Sequence, residues 1–147
     1  MRPVRSLLVA VLMFGLSSGT CLAQSLEDAA ANVARLWGAG EVSGLEKSLS
    51  ESGVRLQWDA NQVGSLDPRH AAASIREYLG SREGTGTRVT RFEDVGGDPP
   101  KGYAEIHWES RISGTSDVLV RTVFVAFVSE DGGWKVTELR VLPLSRS

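Results

Sequence analysis

Apolar side chains recur at helical spacing through most of residues 25–80, and strict alternation replaces that spacing from about residue 85 onward. Ser25 can cap a first helix, with Glu27 and Asp28 in its opening turn and Leu26, Ala30, Val33 and Trp37 on one face. Gly38 and Gly40 stop that helix, and a shorter one carrying Val42, Leu45 and Leu49 is expected after it. Val54, Leu56 and Trp58 alternate with Arg55 and Gln57, the period of a half-buried strand. Asp67-Pro68 predicts the start of a third helix, because an aspartate oxygen accepts from a free amide and proline fits the first turn. Its apolar face is Ala71, Ala72, Ile75, Tyr78 and Leu79, and it ends near Gly80.

Three turn signals divide the remainder: Gly96-Gly97-Asp98-Pro99-Pro100, Gly114-Thr115-Ser116 and Asp131-Gly132-Gly133. Four strands are predicted between them, at about 87–95, 103–112, 118–128 and 134–142, joined as antiparallel neighbours. Helices first and a meander afterwards make an α+β layer fold in which the helices cover one sheet face.

The first residues have a different character. Arg2 and Arg5 precede an uncharged apolar run from Leu7 to Leu16, and small and polar residues then lead to Cys21-Leu22-Ala23. This is the three-part pattern of a signal peptide, residues 1–23, with cleavage after Ala23 and one domain at 24–147. The alternative, lipid attachment at Cys21, is disfavoured by Ser18 and Thr20 at the positions before it. The apolar run is about half the roughly 20 residues a spanning helix needs, so the exported form is expected without membrane attachment, periplasmic or secreted.

Cleavage would remove the single cysteine of the chain, so the domain is expected to form no disulfide. It would also remove two of sixteen basic residues, leaving a balance of 14 − 18 = −4. A mildly acidic surface argues against nucleic acid as a partner, which requires clustered positive charge.

The order helix, short helix, strand, helix and long meander resembles the nuclear transport factor 2-like superfamily, the group that includes ketosteroid isomerase-like proteins. The resemblance is carried by Val54-Arg55-Leu56-Gln57-Trp58, the helix from His70 to Leu79, Tyr103-Ala104-Glu105-Ile106, and Gly132-Gly133-Trp134-Lys135-Val136-Thr137-Glu138-Leu139-Arg140-Val141. The ending is most similar to an uncharacterised branch of small exported bacterial members. The resemblance implies a cone-like curved antiparallel sheet under two to three N-terminal helices, able to enclose a pocket. It implies little about activity, since such a fold hosts isomerases, hydrolases, binding modules and dimerisation domains.

Superfamily enzymes that resemble this chain use an acidic residue and tyrosines inside the cone. The resemblance thus implies Asp59, Glu138 and Tyr78 as candidate catalytic residues, with Tyr103 as the other phenol. Trp37, Trp58, Trp108 and Trp134 all fall at inward positions. As core they bury large apolar area; Trp37, Trp58 and Trp108 with Tyr78 could also line a pocket for a small apolar ligand.

On the strand around residue 106, Tyr103, Glu105, His107, Glu109 and Arg111 share one face and Ala104, Ile106 and Trp108 the other. Glu105, His107 and Glu109 are candidate metal ligands, but the expectation is that this face meets solvent with charges paired along it and Trp108 in the core. His70 is expected as an exposed first-turn residue. The next strand is apolar on both faces: Val118, Val120, Phe124, Ala126 and Val128 on one, Leu119, Val123, Val125 and Phe127 on the other. The face away from the helices needs cover, from the curl of the sheet or from a second copy in a homodimer.

No phosphate-binding glycine loop, cysteine–histidine metal spacing or nucleophile elbow occurs, and no cofactor is expected. The function expected first is an exported, non-catalytic module that binds a small ligand or a protein. The alternatives are a cofactor-free isomerase or hydrolase with a carboxylate in the cone, and a structural homodimerisation domain.

Overall fold

A computed structural model of the chain describes residues 24–143. The expected signal segment, Cys21 included, lies outside the described residues. The elements are α1 (Leu26–Ala39), α2 (Val42–Ser48), β1 (Val54–Trp58), β2 (Asn61–Leu66), α3 (Pro68–Leu79), β3 (Arg82–Gly96), β4 (Lys101–Ile112), β5 (Val118–Glu130) and β6 (Gly133–Val141).

The expected caps close the helices. Ser25 Oγ accepts from the Asp28 amide at 3.1 Å, and Gly40, at φ +68°, ends α1 in the left-handed conformation that glycine adopts without strain. Asp67 Oδ1 accepts from the His70 amide at 2.9 Å with Pro68 in the first turn of α3.

One six-stranded sheet runs in the order β2-β1-β6-β5-β4-β3. Strands β3 to β6 form the expected antiparallel meander, and β1 lies parallel beside β6 and antiparallel to β2. α1 packs on β3 and β4, α3 on β1 to β3, and α2 between α3 and β6. One sheet face thereby becomes the core: Val54, Leu56, Ala104, Ile106, Val123, Val125, Leu139 and Val141 are buried there.

Two strands differ from the sequence expectation. β2 has no alternation to announce it, because Asn61-Gln62-Val63-Gly64-Ser65 is exposed throughout and is held only as the hairpin partner of β1. β3 begins at Arg82 and not at 87, although Glu83-Gly84-Thr85-Gly86 reads as turn sequence. Gly84 is required there because a Cβ at that position would collide with the backbone carbonyl of Gly38, so α1 and β3 meet backbone to backbone.

Candidate functional site

Strands β1 and β6 end sooner than their neighbours. Trp58 stands opposite Val141, Val141 opposite Val123, and Val123 opposite Ile106; beyond that row only β3 to β5 continue. The next inward positions are Arg121 on β5, Trp108 opposite it on β4, and Thr87 opposite Trp108 on β3. The C-terminal ends of α1 and α3 roof this end of the cone with Trp37, Tyr78 and Leu79, all buried.

The four aromatics expected around a pocket meet in one cluster. Trp37 and Trp108, each 1% exposed, pack edge to face at 5.3 Å. Tyr78 stacks on Trp58 at 4.5 Å with the planes 11° apart, and Trp58 Nε1 donates to Ser74 Oγ at 3.2 Å. The Arg82 guanidinium lies 4.0 Å from the Tyr78 ring centroid while its Nη1 donates to the Tyr78 carbonyl at 2.8 Å. Two groups cannot share one ring face at such distances, so Tyr78 is sandwiched between Arg82 and Trp58.

Trp37 and Trp108 are buried at this end of the cone, and a cleft of about 320 Å³ lies beside them at its mouth. Trp37, Trp108, Arg82, Glu83 and the backbone of Gly38, Gly40 and Gly84 line it. Buried polar atoms around this end lack a hydrogen-bond partner within the protein: Trp37 Nε1, Trp108 Nε1, Tyr78 Oη, Arg82 Nε, Arg121 Nε and Asp59 Oδ1.

Asp59 sits at the turn between β1 and β2 with φ +51°, its amide donating to the Val141 carbonyl at 2.9 Å. Its Oδ1 is 2.9 Å from Arg121 Nη1, an ion pair by distance whose N–H direction misses hydrogen-bond geometry. Burial pushes the Tyr78 phenol above its ordinary value, with the nearby Asp59 charge adding to the rise and Arg82 and Arg121 opposing it. The phenol is thus a hydrogen-bond donor at physiological pH.

Of the candidate catalytic residues, Asp59 and Tyr78 come to the same end of the cone, but Glu138 does not. It alternates with buried Leu139, stands opposite Ala126 and Arg55 on the outer face, and pairs with Arg140 at 3.5 Å. Tyr103 is also outside, donating to Glu93 and stacked on Phe124 at 5.6 Å. Glu105, His107 and Glu109 occupy that same outer face, and His107 Nε2 lies 3.2 Å from Glu109 Oε1. Among the described residues no three His, Cys, Asp or Glu side chains are grouped to hold a metal ion. His70 is exposed and bonds to its own cap residue, Nδ1 to Asp67 Oδ2, at 2.6 Å. Tyr103 and the Arg140 guanidinium cover Phe124 on the outer face, while Val118 and Val120 stay exposed.

Arg82 and Arg121 are site residues the sequence reading missed. Arg121 had a signal: it occupies the inward series Leu119, Val123, Val125, Phe127, where a charge has no place without a partner. Arg82 had none, since it lies between the end of the third helix near Gly80 and the strand expected from about 87, in a stretch given no element.

No protein-family model matches the sequence, and no curated protein matches it. Solved structures do match. A DUF4783 family protein from Bacteroides uniformis superposes with TM-score 0.66 at 13% identity, over 79% of this chain and 97% of that one. A domain of unknown function with a cystatin-like fold from Nostoc punctiforme gives 0.64 at 11% identity, over 86% and 80%. An LEH-like epoxide hydrolase of M. tuberculosis gives 0.58 at 13% identity, over 80% and 77%. At such identities the likeness is one of fold. With three helices against one face of a curved, open six-stranded sheet, the chain has the nuclear transport factor 2-like, or cystatin-like, fold.

Proposed function

We propose that the chain is an exported, non-catalytic module that binds one small, largely apolar molecule at the mouth of the cone. One observation carries this reading: the Trp37 and Trp108 indole N–H groups are buried, unpartnered within the protein, and belong to the side chains that line the remaining cleft. Buried donors are nearly always paired, and leaving one unmet costs about 1–3 kcal/mol. A molecule with an acceptor at one end would meet them while its apolar body covers the aromatic cluster. At about 320 Å³ the cleft is of a size for a small molecule, near the lower end of the range such sites span. The non-catalytic part rests on Asp59, whose inner oxygen is already held against Arg121. Export rests on the pattern of residues 1–23.

The neutral fluorophore N-phenyl-1-naphthylamine tests the binding reading. Saturable emission at one probe per chain, excited through the tryptophans, is the expected result. A change that never saturates would overturn it.

A second reading, a cofactor-free hydrolase, is favoured by the convergence of Asp59 and Tyr78 and by the fold shared with an epoxide hydrolase-like protein. Incubation with styrene oxide separates the two. We expect no diol; turnover abolished by Asp59→Asn would establish the enzyme.

A further inference from the structure

We infer that the ligand is a small flat carboxylate, its acidic group against Arg82 and its ring against Trp37 and Trp108; this rests on the binding reading above.

The buried, unpartnered side-chain atoms of the residues that line the cleft are of one kind. Trp37 Nε1, Trp108 Nε1 and Arg82 Nε are N–H donors, and neither indole nor guanidinium can accept. Their complement is a group that only accepts. A carboxylate does so with two oxygens, whereas an alcohol or amide brings donors of its own, which none of these three atoms can receive.

The charges agree. The carboxylate that lines the cleft, Glu83, is engaged by Arg111 at 3.1 Å, and Asp59 by Arg121 at 2.9 Å. Arg82 has no carboxylate within 4 Å among the described residues, so the guanidinium that lines the cleft carries a charge without an ion-pair partner. Its Nη1 is occupied by the Tyr78 carbonyl, which both anchors the side chain and leaves Nε and Nη2 for a side-on carboxylate. The guanidinium is further held flat over the Tyr78 ring. It is therefore positioned before any ligand arrives, which reduces the ordering cost of binding. The ring of the ligand is inferred from the lining: the edge-to-face pair of Trp37 and Trp108, each 1% exposed, backs the cleft, and its glycines carry no side chain to block a flat body.

Benzoate and its neutral isostere benzamide are the probes, titrated into the folded protein while the indole N–H resonances are followed by NMR. Benzoate should move the Trp37 and Trp108 signals and bind roughly tenfold or more tightly than benzamide, as one charge-assisted bond implies. Arg82→Met should remove that preference while benzamide binding persists. Benzamide binding as tightly as benzoate would overturn the carboxylate and leave the module standing, as would an Arg82→Met variant with undiminished preference. Failure of both probes to move either indole would overturn the two readings together. If Arg82→Met does not fold, the ratio in the parent protein decides alone.

Discussion

Arg121 and Asp59 meet across the end of β6, the strand that separates theirs in the sheet: Nη1 and Oδ1 lie 2.9 Å apart where β6 has already stopped. The side chains are 15% and 31% exposed, so the pair is only partly screened by water. Arg121 enters the row of inward residues that would otherwise bury an unpaired charge, and Asp59 reaches it because the turn between β1 and β2 takes up a positive φ. Each group makes the other tolerable.

That dependence is measurable. Arg121→Met and Asp59→Asn should each lower stability by about 1–3 kcal/mol, since either leaves a partly buried polar group unpaired. The double variant should cost less than the sum, with a coupling of about 1 kcal/mol or more in urea unfolding. Additive losses would show that the two do not interact.

The backbone contact of α1 with β3 yields a second expectation. Gly84→Ala would push a methyl into the Gly38 carbonyl and should cost about 1–3 kcal/mol. Gly86→Ala, two residues along the same strand with nothing within 4 Å of the added carbon, should stay within about 0.5 kcal/mol. Thermal melts of the two variants check this, and equal losses would refute the close approach.

On β4 the two faces predict opposite outcomes for adjacent residues. Trp108→Ala should cost about 3–5 kcal/mol, as deletion of a large buried aromatic does. His107→Ala, on the outer face with its ring beside Glu109, should cost less than about 1 kcal/mol. A reversed order would mean that the strand is inside out.

Much of this was legible in the sequence, and the reasons are local. Ser25, Gly40 and Asp67-Pro68 act within one helical turn of themselves, so their chemistry marks α1 and α3 without any tertiary knowledge. Alternation likewise assigned Ala104, Ile106 and Trp108 to the core. What escaped was non-local. β2 exists because β1 offers it an edge, and β3 can begin at Arg82 because Gly84 allows α1 to approach. The same holds for the site. The tryptophans could be named as inward, but that Glu138 falls outside and Arg121 inside is decided by where β6 ends and by the register of its neighbours.

Export makes a prediction on mass. The mature protein should begin at Gln24, directly before the Ser25 that caps α1. Intact-mass measurement of protein recovered from the periplasm or medium checks it. A species retaining Cys21 with acyl chains would refute the cleavage site.

The two tyrosines make the last test, because Tyr78 and Tyr103 are the only phenols in the chain and both are raised above the ordinary value of 10.0. Their causes differ. Burial dominates at Tyr78, whereas Tyr103 is held protonated chiefly by its hydrogen bond to Glu93. Glu93 in turn is lowered, first by that bond and then by Arg91. A phenol whose folded pKa is raised binds its proton more tightly in the native state than in the unfolded one. Its contribution to stability is therefore fully present below about pH 10 and is lost as pH rises through the folded value. Absorbance at 295 nm should accordingly show a tyrosinate midpoint above pH 10, with stability falling over the same window. In Tyr78→Phe the remaining signal belongs to Tyr103 alone, and adding Glu93→Gln should bring it back toward 10. A tyrosinate midpoint below pH 10 in the parent would contradict the burial of Tyr78 at the mouth of the cone and, with it, the donor role assigned there.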